Sequence, residues 1–296
     1  MTLIAGFPFG KDDSSGIELA ASLARSAGTD LRVVTVLPAR WPTTTAERTD
    51  RAMEEWAAEQ GAAAVTHATE VLAEQCPDLQ SEAAWVSGRS IPSALVDEAQ
   101  RIGASMIVVG SGRDGAYGHV HLGSTVDRLL HSSPVPVAIA PRGFHAPDGA
   151  TVSRATCAFR GDRVSWQTLD RTAEICTAVD CALRVVTFAI RGRTMYPPEV
   201  GTRVEDDILA RWREQAEEAQ RVALADLQTR GDLPSRVEST VAQGNSWSAA
   251  FDRLTWERDE VLVVGSSASS FVERLFLGSS GSKLLRHSPV PVIVVP

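Results

Sequence analysis

Short apolar runs alternate with amphipathic stretches along the whole chain. In the first half the apolar runs are 3–7, 31–36, 82–86, 105–109 and 135–140. Continuous apolar runs of this length, bounded by glycine or proline, predict strands buried on both faces. Between them, Ile17, Leu19, Ala20, Leu23 and Ala24 recur at helical spacing, with Ser14 or Ser15 as cap and Gly28 as stop. A long polar stretch over roughly 46–75 predicts a further helix, with Gly61 as a candidate break. Ser90 predicts another helix start, with Pro92 tolerated in its first turn. A last one opens at Gly123, and residues 38–45 are Pro/Thr-rich loop. Strand and helix in alternation predict a parallel sheet with right-handed crossovers.

The second half repeats this order. Strands are predicted at 155–159, 183–188 and 239–242, and helices at 166–179 and about 205–229. A loop holding Pro197 and Pro198 precedes the longer helix. The run 31–36 matches 183–188 almost residue for residue. The pair Gly110 and Gly123 and the pair Gly265 and Gly278 have the same spacing of 13 (123 − 110 and 278 − 265). Ser133-Pro134-Val135-Pro136-Val137 returns as Ser288-Pro289-Val290-Pro291-Val292, at an offset of 288 − 133 = 155. A repeat this long fixes a duplicated architecture before any residue is assigned a role. The expected division is a first domain over 1–142, a linker over 143–152 and a second domain over 153–296. Pro134 and Pro136, two apart, place both missing N–H groups on one side of the last strand, as do Pro289 and Pro291. Only an edge strand tolerates that. The last strands are therefore where the two halves, or two chains, are expected to meet.

Composition narrows the picture. The chain has 296 residues, 44% hydrophobic and 22% charged, as in an ordinary soluble globular protein. A net charge of −8 argues against a nucleic-acid partner, which needs a basic stripe. No apolar run has membrane-spanning length, and the first residues lack a secretory signal. Cys76, Cys157, Cys176 and Cys181 have no metal-ligand spacing and are expected as reduced, buried thiols in a cytoplasmic protein. The seven tryptophans are expected in helix–sheet and half–half contacts. The charge-rich long helices are expected to be solvated faces.

An apolar run ending on Gly110, a polar loop, and Gly123-Ser124-Thr125 before an amphipathic segment make a strand, a loop and a helix start. Backbone N–H groups there form an anion site. The second half repeats the device from Gly265 to Gly278, Ser279 and Ser280. This pattern, ending in a Pro-Val-Pro-Val strand, resembles the universal stress protein family over nearly the whole chain, as two tandem copies. The resemblance implies an α/β fold of two Rossmann-like domains of the adenine nucleotide alpha hydrolase type. Each has a five-stranded parallel sheet flanked by helices, and members often pair through the last strand. It also implies a regulator of stress responses, with ATP or another adenine nucleotide as ligand in many members. The implied cofactor-binding positions are Gly110, Ser111, Arg113, Gly123, Ser124 and Thr125 in the first copy. In the second they are Gly265, Ser266, Ala268, Gly278, Ser279 and Ser280. The family's second loop glycine is Arg113 in one copy and Ala268 in the other. A guanidinium there offers a phosphate a charged donor, whereas a methyl only adds bulk. Ungapped counting places the family's adenine-reading Asp at Pro8 and at Arg160. Neither side chain accepts a hydrogen bond. Val36 completes the set.

Other constellations carry less. Gly110-Ser111-Gly112-Arg113-Asp114-Gly115 spells a dinucleotide fingerprint but follows the fourth strand rather than the first. His119 and His121 lack a third ligand, and Arg274 and Phe276 replace them in the repeat. The serines 266–270 have no nearby base to activate them. No catalytic set is visible, so the expectation is a non-enzyme with at most slow ATP hydrolysis, which binds a nucleotide. Its rival is a non-binding tandem scaffold acting through protein contacts, and an enzyme with a repurposed pocket comes third. The halves pairing inside one chain and a homodimer are both open at this point.

Overall fold

The computed structural model describes residues 2–8, 13–39, 47–112, 115–191, 202–266 and 279–296. The elements of the first half are β1 (Thr2–Phe7), α1 (Ser15–Ala27), β2 (Asp30–Pro38), α2 (Glu47–Gln75), β3 (Ser81–Gly88), α3 (Ile91–Ile102), β4 (Met106–Gly110), α4 (Ser124–Ser132) and β5 (Val137–Ala140). The second half follows as β6 (Arg154–Ala158), α5 (Arg163–Val179), β7 (Ala182–Ile190), α6 (Thr202–Arg230), β8 (Val237–Gly244), α7 (Trp247–Phe251), β9 (Glu260–Gly265), α8 (Ser279–His287) and β10 (Val292–Val295). The 38–45 loop and the loop of Pro197 and Pro198 fall largely outside the described residues.

The strands form one ten-stranded sheet in the order β3-β2-β1-β4-β5-β10-β9-β6-β7-β8. Within each half the five strands are parallel. Only β5 and β10 run antiparallel, with Val292 opposite Ile139, Ile293 opposite Ala138 and Val294 opposite Val137. Parallel strands are buried on both faces, which is why their sequences are continuous apolar runs. Residues of α1, α2, α5 and α6 pack into one core layer, and residues of α3, α4 and α8 into the other.

The prolines do not sit where the sequence pattern places them. Pro134, Pro136, Pro289 and Pro291 all precede the strands β5 and β10, so none lies in the ladder between them. They use their carbonyls instead: Ile107 N–H donates to Pro136 O (3.0 Å) and Leu262 N–H to Pro291 O (2.8 Å). Missing N–H groups therefore limit where these strands begin and do not mark a free side.

Gly61 is also not a break. α2 runs through it, and a Cβ there would come within 2.5 Å of the Trp85 ring. The glycine lets helix and strand approach around a large indole. α1 ends as expected on Gly28, in the left-handed region at φ 58°. Its start differs from a simple serine cap. Asp13 Oδ1 accepts the Ser15 N–H (3.2 Å), while Ser14 Oγ donates to Glu18 (2.8 Å). Glu18 also accepts the Ala146 N–H (2.9 Å), fastening the segment between the halves onto α1.

Four tryptophans meet the expectation of helix and sheet contacts. Trp85 lies under Gly61. Trp166 packs edge-on against Phe159, Trp247 against Phe188, and Trp256 against Phe251. Trp56 and Trp212, on the long helices, are more than a third exposed. All four cysteines are free and buried.

Candidate functional site

In an open doubly wound sheet, ligands bind beyond the carboxyl ends of the strands where the strand order reverses. Here that point lies between β1 and β4 in the first half and between β6 and β9 in the second. Gly110 ends β4 and Gly265 ends β9. Both predicted glycines therefore stand at the switch points.

The first crevice is built from close backbone approach. A Cβ on Gly16 would come within 2.9 Å of Gly110 N, so glycine lets the start of α1 settle onto the end of β4. A Cβ on Gly110 would find Asp13 Oδ2 as its nearest neighbour, at 3.5 Å, an ordinary contact distance. Asp13 is the residue that sequence counting missed. It sits five positions beyond Pro8, and it brings a carboxylate to the crevice while capping α1. An Asx cap followed by Ser-Ser-Gly was the signal that could have found it.

The loop after β4 is closed on itself. The His121 carbonyl oxygen accepts hydrogen bonds from Gly112 N–H (3.3 Å), Gly123 N–H (3.0 Å) and Ser111 Oγ (3.3 Å). Ser111 Oγ in turn accepts the His121 N–H. One carbonyl oxygen thus holds the place that an anion's oxygen would take among these donors. The His121 side chain is wedged between Gly112 and Gly115, where added Cβ atoms would approach it to 2.9 Å and 2.5 Å. The loop is pinned from outside as well. Arg142 Nη1 donates to Gly115 O (2.6 Å), and its guanidinium lies 4.4 Å from the centre of the Tyr117 ring. Beyond the loop, α4 starts at N-cap Gly123 with no side-chain cap. The first-turn N–H groups of Ser124 and Thr125 are the orphan donors of any helix start. Ser124 is exposed and Thr125 half-buried.

The other predicted positions fall at strand and helix ends or outside the described residues. Val36 is buried near the carboxyl end of β2, in the core layer under α3. Pro8 is half-buried just past β1. Arg113 lies outside the described residues, as do Ala268 and Gly278, and Ser280 is half-buried in the first turn of α8. Ser279 begins α8.

The second crevice differs. β7 follows β2 at an offset of 183 − 31 = 152, and the same offset sets Thr168 in the place of Gly16 (168 − 16 = 152). A Cβ on Gly265 would lie 2.1 Å from Thr168 Oγ1 and 2.8 Å from Val164 Cγ1. α1 and α5 end in register at this offset (179 − 27 = 152), yet α5 begins at Arg163 rather than 167. That extra turn carries Val164 over the glycine. Asp162 caps it, accepting the Ser165 N–H (2.9 Å), and Arg160 is spent on an ion pair with Asp162. Burial opposes the Asp162 charge, but the hydrogen bonds from Arg160 and Ser165 outweigh it and hold its acidity below the usual carboxylate range. Ser266, the counterpart of Ser111, gives its N–H to Val295 O (2.9 Å), and its buried hydroxyl has no partner among the described residues. Among the described residues no cluster of three metal-ligating side chains exists, and no helix is long and apolar enough to cross a membrane.

The comparisons with known proteins agree with this architecture. A model of the universal stress protein family matches residues 9–141 and again 152–296. Universal stress proteins of Mycobacterium tuberculosis and Mycobacterium bovis are each 37% identical to this chain over 296 residues, covering all of both chains. Among solved structures, a universal stress protein from Archaeoglobus fulgidus is similar at a TM-score of 0.63, with 18% identity, over 99% of this chain and 97% of that one. With two family matches in one chain and relatives alike from end to end, this chain belongs to the universal stress protein family.

Proposed function

We propose that the chain is a regulatory universal stress protein that binds an adenine nucleotide in its first half alone. The observation that carries this reading is the contrast above the two glycines. Asp13 and open backbone surround Gly110, whereas Val164 and Thr168 occupy the space above Gly265. On this reading the phosphates displace the His121 carbonyl from Gly112, Gly123 and Ser111 and reach the uncapped start of α4. Gly123, Ser124, Thr125 and Ser111 are then the first-half contacts, Arg113 supplies a cation, and Asp13 serves the base or sugar side. The second half is a structural partner joined through β5 and β10. Domain limits of 1–142 and 153–296 around a linker at 143–152 fit that division, with the chain acting in the cytoplasm and hydrolysing ATP slowly at most.

A non-binding scaffold is favoured by one observation, the three donors already engaged by the His121 carbonyl. Calorimetry decides between the two. Universal stress proteins have been solved in complex with cAMP and with dAMP, so these join ATP, ADP and AMP as probes. One site per chain is expected, lost in Gly123→Val. Among the described residues a Cβ at Gly123 meets only Gly112 Cα, at 3.6 Å, and φ is −72°, so this variant keeps the fold. No heat at millimolar nucleotide overturns the proposal in favour of the scaffold.

A further inference from the structure

The C-terminal end of α5 differs from its counterpart in the first half in a chemically specific way. Both helices end in the same 6→1 backbone bond, from Thr29 N–H to Ala24 O (3.0 Å) in α1 and from Cys181 N–H to Cys176 O (3.0 Å) in α5. The offset of 152 holds for each position, so Ala24, Gly28 and Thr29 of the first half become Cys176, Asp180 and Cys181. In this type of helix ending, a side-chain contact between the two residues that share the 6→1 bond is frequent. Here both side chains are thiols. Both are packed in the same core layer as Cys157, and the Cys176 thiol donates to the Ala182 carbonyl (3.8 Å). Asp180, between them, holds φ 52°, the one positive-φ position outside glycine among the described residues.

The surroundings distinguish the two sulfurs. The neighbouring Cys176 thiol is the chief cause that holds Cys181 below the ordinary thiol range, against the burial of its sulfur, while Cys176 is raised, so Cys181 ionises first. The Arg236 guanidinium favours the same charge, whereas the Ala155 backbone favours charge on either sulfur. Arg236 is anchored at this corner by its bond to Asp180 O (3.0 Å). Cys157 is the opposite case, a fully buried thiol pushed up to about 12 by burial. Cys76 lies in the first half and is pushed up to about 11 by burial. A thiolate is the nucleophile in thiol oxidation, so ordinary chemistry starts at Cys181.

We infer that Cys176 and Cys181 form an oxidation site, closing to an intramolecular disulfide across the end of α5 when the protein meets a peroxide. The Cys181 thiolate attacks one oxygen of hydrogen peroxide, breaking the O–O bond, and gives a sulfenic acid and hydroxide. The Cys176 sulfur then attacks the Cys181 sulfur, forming the S–S bond and breaking the S–O bond. The Cys176 proton and the hydroxyl leave as water, and the hydroxide takes up the proton released when Cys181 ionised. In sum two thiols and one peroxide give one disulfide and two waters, the sulfurs oxidised and the peroxide reduced. The inference is independent of nucleotide binding, since α5 ends at the opposite side of the sheet from the glycine turns.

The test uses the full-length reduced protein, exposed to hydrogen peroxide under native conditions. Free thiols are then alkylated and peptides read by mass spectrometry, with circular dichroism as a check on folding. A Cys176–Cys181 linkage is expected, with Cys76 and Cys157 still alkylated as thiols. Cys176→Ala, which restores the first half's own residue, should accumulate sulfenic acid at Cys181, trapped by dimedone. Cys181→Thr, likewise matched to the first half, should leave Cys176 unmodified. Both cysteines remaining thiols in folded protein, or a disulfide through Cys157 instead, would overturn the inference. Dimedone on Cys176 rather than Cys181 would overturn the order of attack.

Discussion

The two glycine turns of this molecule share a sequence device and differ in what stands over it. At Gly110 a glycine on the neighbouring helix, Gly16, lets backbone meet backbone and leaves Asp13 facing the crevice. At Gly265 the matching helix position is Thr168, and one more turn of α5 adds Val164. A glycine in a loop therefore does not define a ligand site by itself. The site depends equally on the helix start that faces it. The two halves thus differ in what faces the glycine, Asp13 and Gly16 in one and Val164 and Thr168 in the other.

The largest expected effect concerns a second difference between the halves, their buried charges. Arg184 and Glu260 pair with both side chains almost fully buried, joined by Thr156 and with the guanidinium 4.7 Å from the Trp256 ring centre. In the first half Arg32 pairs with Glu98, and Arg101 also reaches Glu98, but the Arg101 side chain is 61% exposed. Glu260→Ala removes the buried carboxylate that Arg184 and Arg154 share. It leaves Arg184 with Thr156, the Thr255 carbonyl and the more distant Glu238 at 3.7 Å, and should cost about 3 kcal/mol in urea unfolding. Glu98→Ala leaves partners that reach water and should cost about 1–2 kcal/mol. Equal losses would show that the halves do not differ in this respect. The acid limb sharpens the point. Hydrogen bonds from Arg101 hold the Glu98 carboxyl below its ordinary value of 4.5. Its contribution is present above that value and fades as pH falls through the lower folded value. Glu98→Gln should therefore flatten the loss of stability on acidification below about pH 4.5.

Packing of the long helices gives the next effect. α6 follows α2 at an offset of 202 − 47 = 155 and β8 follows β3 at 237 − 81 = 156, so Ala216 and Val241 replace Gly61 and Trp85. Gly61→Ala forces a methyl into the Trp85 ring and should cost about 1–3 kcal/mol in thermal or urea unfolding. Ala216→Gly loses only helix propensity, about 1 kcal/mol. A stabilising Gly61→Ala would mean that the indole moves aside freely.

For the crevices themselves, Gly123→Val should weaken adenine nucleotide binding at least tenfold, about 1.4 kcal/mol. Thr168→Val should leave binding unchanged by calorimetry, because the second crevice is already filled. A loss in Thr168→Val would reverse the assignment of halves. The smallest effects belong to the helix starts. Asp162→Ala removes the cap of the extra turn and should lower stability by about 1 kcal/mol. Asp13→Ala should cost less, about 0.5 kcal/mol, its bond to Ser15 being longer at 3.2 Å. Its stronger effect should be on nucleotide affinity.

The sequence by itself determined the duplicated α/β order, because burial on both faces imposes apolar runs and helix ends need their own residues. Gly28, Ser90 and the repeat offsets were legible for that reason. It also placed Gly110 and Gly265 at strand ends. What it did not determine was anything set by contact across elements. Gly61 was indistinguishable from a helix break until Trp85 was seen beside it. Asp13 lay outside an ungapped count, and Val36 turned inward under α3. The four prolines were read as ladder residues because only the register shows where a ladder starts. The tertiary structure alone decided that Val164 and Thr168 cover one glycine and that the His121 carbonyl satisfies the donors near the other. Local sequence specifies backbone conformation, whereas the occupancy of a crevice depends on which distant side chains the packing brings above it.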